Sequence, residues 1–276
     1  MNERTERRLK FMTEMPKICV PIVGKTESEI VRAGKELSGS AADLIEWRAD
    51  YFEHLFEPDK LLETLQKLRK ALGKKPLLFT IRTAGEGGET AISFAKYSDI
   101  LCQVGQTKLA DYIDVEAFWG YRTEEGDLEK NTPEQIAAEL CHEPVRCLVQ
   151  ELQTEDQAQV IGSYHDFDKT PSDQEMYNRL LAMKEMGVAI PKMAVMPQNR
   201  EDVMRLMQVT MRVKERLGNG PVITMSMGSL GAVSRVAGAL YGSDVTFGCA
   251  GKASAPGQIE LDRLQEMLKT LAIKEG

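Results

Sequence analysis

Only three histidines and two tryptophans occur in this 276-residue chain, and aromatic residues make up just 6% of it. Its five cysteines (Cys19, Cys102, Cys141, Cys147 and Cys249) are odd in number, scattered, and contain no C-x-x-C pair. That spread excludes a disulfide framework and dithiol redox chemistry, and it reads as free thiols in a reducing, cytoplasmic setting. Cys141, His142 and Cys147 are the one local Cys/His cluster, but irregular spacing and the lack of a second pair leave it short of a zinc site. No apolar run approaches the ~18 residues of a membrane-spanning helix. Residues 1–15 (MNERTERRLKFMTEM) lack the apolar stretch of a signal peptide and read as a mobile tail or a short surface helix. A basic excess is missing too: 35 Lys and Arg against 42 Asp and Glu leave a formal charge of −7. Nucleic acid and anionic membrane surfaces are therefore excluded as general partners.

What the chain does have is rhythm. Short apolar, β-branched runs occur at 17–23, 43–49, 76–83, 111–118, 159–165, 189–196, 221–227 and 244–250. Amphipathic helical stretches alternate with them, at 27–38, 59–72, 93–109, 173–186, 200–217, 231–241 and 258–273. In 200–217, Val203, Leu206, Met207, Met211 and Val213 recur near a 3.6-residue period, as a helix lying on a sheet requires. Eight strand–helix alternations predict a parallel sheet closed into a single-domain (β/α)8 TIM barrel over about residues 16–276, behind the charged tail. The step from the fourth to the fifth strand is longest and holds Asn131-Thr132-Pro133 before an alanine-rich run. This enlarged crossover, about 119–155, reads as an added surface helix, with a lid or a partner-docking element as the alternative.

Strand periodicity also places polar pairs. Glu46 and Arg48 share a face of the second strand, Thr80 and Arg82 of the third, Asp114 and Glu116 of the fourth, Ser163 and His165 of the fifth. Each pair sits late in its run, where a barrel builds its site, and a purely structural barrel would put Val, Ile or Leu there. His54 lies in a polar loop and His142 in the crossover, whereas His165 ends a strand, as a hydrogen-bonding cap or as an acid–base group. Lys192 stands inside the apolar run AIPKMAVMP. Burial there disfavours an ammonium ion and supplies the amine that attacks a ketone, unless the side chain faces outward. Lys17 begins its strand and so belongs to the barrel bottom. GEGGE at 85–89 is a glycine-rich loop bringing Glu86 toward the mouth, without dinucleotide-binding spacing. CAGKASAPGQ, with Ser254 and Gln258, suits a mobile lid or, alternatively, a phosphate-binding loop.

E-W-R-A-D at 46–50, F-T-I-R-T…E-G-G-E at 79–89, D-V-E at 114–116, H-D-F at 165–167 and P-K-M-A-V-M-P at 191–197 together resemble type I 3-dehydroquinate dehydratases. M-S-M-G…S-R-V-A-G and A-S-A-P-G-Q extend the likeness over roughly residues 17–260. The resemblance implies a lyase of the shikimate pathway, or of quinate breakdown. It would convert 3-dehydroquinate to 3-dehydroshikimate through a lysine imine, without metal or cofactor, as a cytoplasmic homodimer. It implies that Lys192 forms the Schiff base, His165 transfers protons, Glu86 orients the histidine and Arg235 binds the substrate carboxylate. Glu46, Arg48, Arg82, Ser254 and Gln258 would hold the hydroxyls and complete the closed site. Two other classes share some of these residues: a class I aldolase, which needs a phosphate grip, and a non-catalytic metabolite binder, which needs no lysine–histidine pair.

Overall fold

In the computed structural model, residues 7–11, 15–119, 132–140, 144–154, 158–218, 220–251 and 253–272 are described. Eight parallel strands follow one another in space as in sequence: β1 (Lys17–Ile22), β2 (Leu44–Arg48), β3 (Leu77–Thr80), β4 (Tyr112–Glu116), β5 (Gln159–Asp166), β6 (Ile190–Val195), β7 (Ile223–Ser226) and β8 (Val245–Cys249). Helices α1 (Glu27–Ser38), α2 (Pro58–Leu72), α3 (Phe94–Thr107), α4 (Pro133–Leu140), α5 (Pro144–Leu152), α6 (Asp173–Glu185), α7 (Arg200–Leu217), α8 (Ala232–Ala237) and α9 (Leu261–Leu271) run between or after them. Local chemistry sets several starts. Thr26 and Glu29 form a reciprocal capping box on α1, Asn199 caps α7 through the Asp202 amide, and Pro58 opens α2. This is the expected α/β barrel. Among the described residues, no ladder joins β7 to β8; Asp244 N donates to Val222 O at 2.8 Å and Thr224 N to Ser243 Oγ at 3.0 Å, bridging that seam.

Alternation along the strands splits the interior by height. Cys19, Leu44, Leu78, Tyr112, Ile161, Ile190, Ile223 and Val245 form an apolar floor inside the barrel. Two residues further along, the same faces carry Glu46, Thr80, Asp114, Ser163 and Lys192, all buried. The outward alternates Ile45, Trp47, Phe79, Ile113, Val115 and Val160 pack beneath the helices. Four departures from the sequence reading matter. Residues 7–11 are not a free tail: Leu9 and Phe11 pack under the floor, Leu9 N donates to Tyr112 Oη at 2.8 Å, and Arg7 pairs with buried Asp111 at 3.0 Å. A ninth strand, β9 (Ile259–Glu260), pairs with β8 where a helix start is expected, so α9 begins only at Leu261. The 231–241 stretch divides into α8 and a 3-10 turn, Gly238–Tyr241. Finally, β3 ends at Thr80, so Arg82 lies beyond the strand.

The crossover after β4 holds two helices, α4 and α5. Thr132 caps α4 reciprocally with Gln135, its amide donating at 2.7 Å and its hydroxyl accepting at 3.3 Å. Asn131, Cys141 and His142, and with them the Cys/His cluster, lie outside the described residues. Among the described residues, no helix is long and apolar enough to cross a membrane.

Candidate active site

Lys192 rises from the middle of β6 into the polar layer, with 3% of its surface exposed. Its Nζ donates to Asp114 Oδ2 at 3.2 Å, lies 3.9 Å from Glu46 Oε1, and stands 4.7 Å from the centre of the Phe247 ring. Carboxylates and a ring face therefore surround the amine. Of the nearby arginines, Arg48 is turned to Asp50, and Arg82 grips the other oxygen of Asp114. Asp114 was visible in the sequence as a strand-face acid, but its pairing with Lys192 across β5 was not. By the ladders Glu116 lies beside Ser163 and Ser163 beside Lys192, so Asp114, two residues before Glu116 on the same face of β4, meets the amine from one step lower in the barrel.

His165, two residues past Ser163 on β5, presents Nδ1 to Glu86 Oε2 at 2.8 Å. Burial, with Arg82, Lys192 and Arg48 nearby, holds the imidazole well below its ordinary pKa, so the ring is neutral near pH 7. Glu86 sits in the 3-10 turn Ala84–Glu86; burial and the adjacent Glu116 push its carboxyl well above the usual range, against Arg82. Gly87, which ends that turn, has φ +79° and faces the Phe167 ring so closely that no side chain fits. The glycine-rich loop thus brings Glu86 to the histidine, as expected.

Arg82 is the hub of the acids. Its guanidinium donates to Asp114 Oδ1 at 2.7 Å, Ser163 Oγ at 3.0 Å, and Glu86 and Glu116 at 3.1 Å each. Burial alone would lower its pKa, but Asp114, Glu116 and Glu86 outweigh it and raise it well above normal. Glu116 also accepts from Thr83 N and Oγ1, both at 2.8 Å. Arg48 is held bidentately by Asp50 at 2.8 and 2.7 Å, and Asp50 further accepts the amides of Arg82 and Glu89. Asp50, which ties the end of β2 to the Glu86 loop, was not singled out from sequence. It stands two residues beyond Arg48 in E-W-R-A-D, and only the position of its loop partners reveals its task.

Arg235 differs from the other cations. It is 1% exposed, yet among the described residues no carboxylate pairs with it. Its donors reach Phe247 O at 3.3 Å, Pro256 O at 3.0 Å and the Met225 sulfur at 3.6 Å, and Nε has no partner. Burial pushes its pKa down to about 10. A buried guanidinium left this way is a ready receptor for an anionic group. Above it runs the segment after β8. Gln258 Nε2 donates to Ser254 Oγ at 3.0 Å and Ser254 N to Gln258 Oε1 at 2.8 Å. Gly228 N donates to Pro256 O at 3.3 Å, which seats the lid on the loop after β7. Gln258 takes the Ser254 amide and Glu260 the Gly251 amide, and the residue preceding α9 is an acid, so a phosphate grip gains no support here.

The site residues expected from sequence thus meet at one mouth: Glu46, Arg48, Arg82, Glu86, His165, Lys192, Arg235, Ser254 and Gln258 line one cavity of about 40 Å3. His54 pairs with Glu57 at 2.6 Å, outside that set. Among the described residues, no cluster of His, Cys, Asp and Glu could hold a metal ion. Residues 18–275 match the family model described as Type I 3-dehydroquinase. The chain is 41% identical over 265 residues to a 3-dehydroquinate dehydratase of Clostridium botulinum, covering 96% of each. It is 40% identical to one of Klebsiella pneumoniae, covering 98% of this chain and 99% of that one. Among solved structures, the type I 3-dehydroquinate dehydratase of Clostridium difficile, with covalently modified comenic acid, superimposes with a TM-score of 0.82 at 38% identity and 96% coverage of both chains.

Proposed function

The chain belongs to the type I 3-dehydroquinase family, and on that premise we propose that it dehydrates 3-dehydroquinate to 3-dehydroshikimate through an imine on Lys192. The observation carrying this reading is the convergence of three groups on one cavity: a buried primary amine, a neutral imidazole and a guanidinium without an acid. Arg235 binds the substrate carboxylate, which supplies the anion the protein withholds. The amine form of Lys192 attacks the ring ketone, and loss of water gives an iminium ion. That cation draws electrons from the adjacent C–H bond. Neutral His165, held through Nδ1 by Glu86, takes the proton with Nε2 and leaves an enamine. The enamine expels the β-hydroxyl as His165 returns the proton, so the departing group leaves as water. Hydrolysis of the remaining imine frees the enone and regenerates Lys192.

The other polar groups divide the work. Glu46, Arg48 and the lid pair Ser254 and Gln258 face the hydroxyls, whereas Arg82 fixes Asp114, Glu116 and Glu86 in place. A cavity of about 40 Å3 has room for a few waters at most, so the lid lifts to admit a substituted six-membered ring.

The test is the ultraviolet absorbance of the conjugated enone on mixing purified protein with 3-dehydroquinate. Arg235→Gln serves as the site control: a lost charge-assisted contact of about 1.5–3 kcal/mol raises KM roughly 10- to 150-fold while changing kcat less. No absorbance from the wild type, or an unchanged KM in Arg235→Gln, contradicts the reading. A cleaved aldehyde product would assign the chain instead to an aldolase.

A further inference from the structure

Two carboxylates stand near Lys192 Nζ, and they are not equivalent. Glu46 Oε1 is 3.9 Å away and already accepts from Thr80 Oγ1 at 2.9 Å. Asp114 Oδ2 is at 3.2 Å, and Lys192 is the one donor to it among the described residues. The other oxygen, Oδ1, is fixed by Arg82 at 2.7 Å and Ser163 at 2.6 Å. Its side chain is fully buried, which keeps water from Oδ2, and the bonds to Oδ1 hold the carboxylate against rotation.

An ammonium ion has three N–H groups to share, but the iminium ion made from it has one. Imine nitrogens are also much less basic than amines. Unless an anion faces the nitrogen, the imine loses its proton near neutrality and no longer acidifies the neighbouring C–H bond. We infer that Asp114 is the counter-ion of the protonated imine, accepting its single N–H through Oδ2 and keeping the nitrogen cationic through proton abstraction and hydroxyl loss. This rests on the imine reading above and assigns to the site a group distinct from the proton-transferring histidine. Asp114 takes no proton itself. Burial would raise its pKa, but Arg82 and Lys192 outweigh that and leave it below the ordinary value, as a permanent anion requires.

Of the other groups around Nζ, the one further carboxylate among the described residues, Glu46, is the more distant and is already engaged by Thr80. Glu46 faces it from β2, Phe247 from β8 and the Cys19 thiol from β1, the last kept protonated by burial. His165 on β5 is neutral, and Arg82 is engaged with its acids. An opposite charge within about 4–6 Å moves a pKa by about 1–3 units.

In Asp114→Asn, the alkaline limb of the kcat–pH profile is therefore expected to move about 1–3 pH units lower. Borohydride still traps the adduct on the acid side, because the amine is retained. A profile parallel to wild type, lowered or not, overturns the proposal. Should Asp114→Asn fail to fold, 13C NMR on His165→Ala with ketone-labelled substrate reads the imine directly, since proton abstraction stalls there. A protonated imine across about pH 6–9 supports the counter-ion, and titration near neutrality overturns it. If wild-type protein gives no reducible adduct at all, the imine reading itself fails; an adduct with unshifted profiles sinks the counter-ion alone.

Discussion

Lys192 and Arg235 are both buried cations, and what faces each decides its use. Lys192 is matched by Asp114 and Glu46, whereas Arg235 meets backbone carbonyls and a thioether. Breaking a buried ion pair leaves an uncompensated charge that destabilises a fold by about 3–5 kcal/mol, so a guanidinium left unmatched is a feature kept for an incoming anion. His165 shows the same logic with a proton. Its pKa is held well below the ordinary 6.5, first by burial and then by Arg82, Lys192 and Arg48. The base form therefore persists as pH falls through 6.5 and is lost only when the depressed value is crossed. On that sign, kcat/KM measured from about pH 8 downward stays level past 6.5 and declines at lower pH. An acid limb centred above 6.5 would contradict the assignment of His165 as the base.

Loops, more than strands, complete the site. Asp50 joins the end of β2 to the loop carrying Glu86, and Pro256 O joins the lid to both Arg235 and Gly228. Gly257 has φ +78°, and a Cβ there would collide with the Gly228 backbone. Gly257→Ala is expected to misplace the lid, with a left-handed residue alone costing about 1–2 kcal/mol, and to raise KM roughly tenfold while the circular dichroism spectrum holds. An unchanged KM would mean that the lid is not seated this way. These same elements mark what could be read from sequence. Glu46 with Arg48, Asp114 with Glu116, and Ser163 with His165 were legible because strand alternation is local and needs no knowledge of neighbours. Thr80 and Arg82 were paired by the same alternation, although the strand ends at Thr80, two residues before Arg82. The ninth strand, the β7–β8 seam and the Asp50 tie were not legible, since each depends on contacts between segments far apart in the chain. The isolation of Arg235 is of the same kind: a missing partner leaves no mark in local pattern.

For the whole molecule, a net charge of −7 describes the surface and not the mouth. An acidic protein here buries one arginine without a carboxylate partner among the described residues, so under the proposed function exclusion of polyanions and recognition of a small anion coexist. The far end of the barrel is covered by residues 7–11. Leu9 and Phe11 pack under the floor while Arg7 and Arg69 share Asp111. Leu9→Ala with Phe11→Ala removes part of that apolar cover, an effect of about 2–3 kcal/mol, and is expected to lower Tm by at least roughly 5 °C. Because the site lies at the opposite end, kcat and KM should not move; a thermal midpoint that stays put would show the segment to be dispensable. The central claim is the covalent one, and borohydride reduction in the presence of 3-dehydroquinate followed by mass spectrometry of the peptides tests it most directly. The account predicts one adduct, on Lys192, absent in Lys192→Ala. An adduct on another lysine, or an undiminished mass shift in that variant, would contradict it.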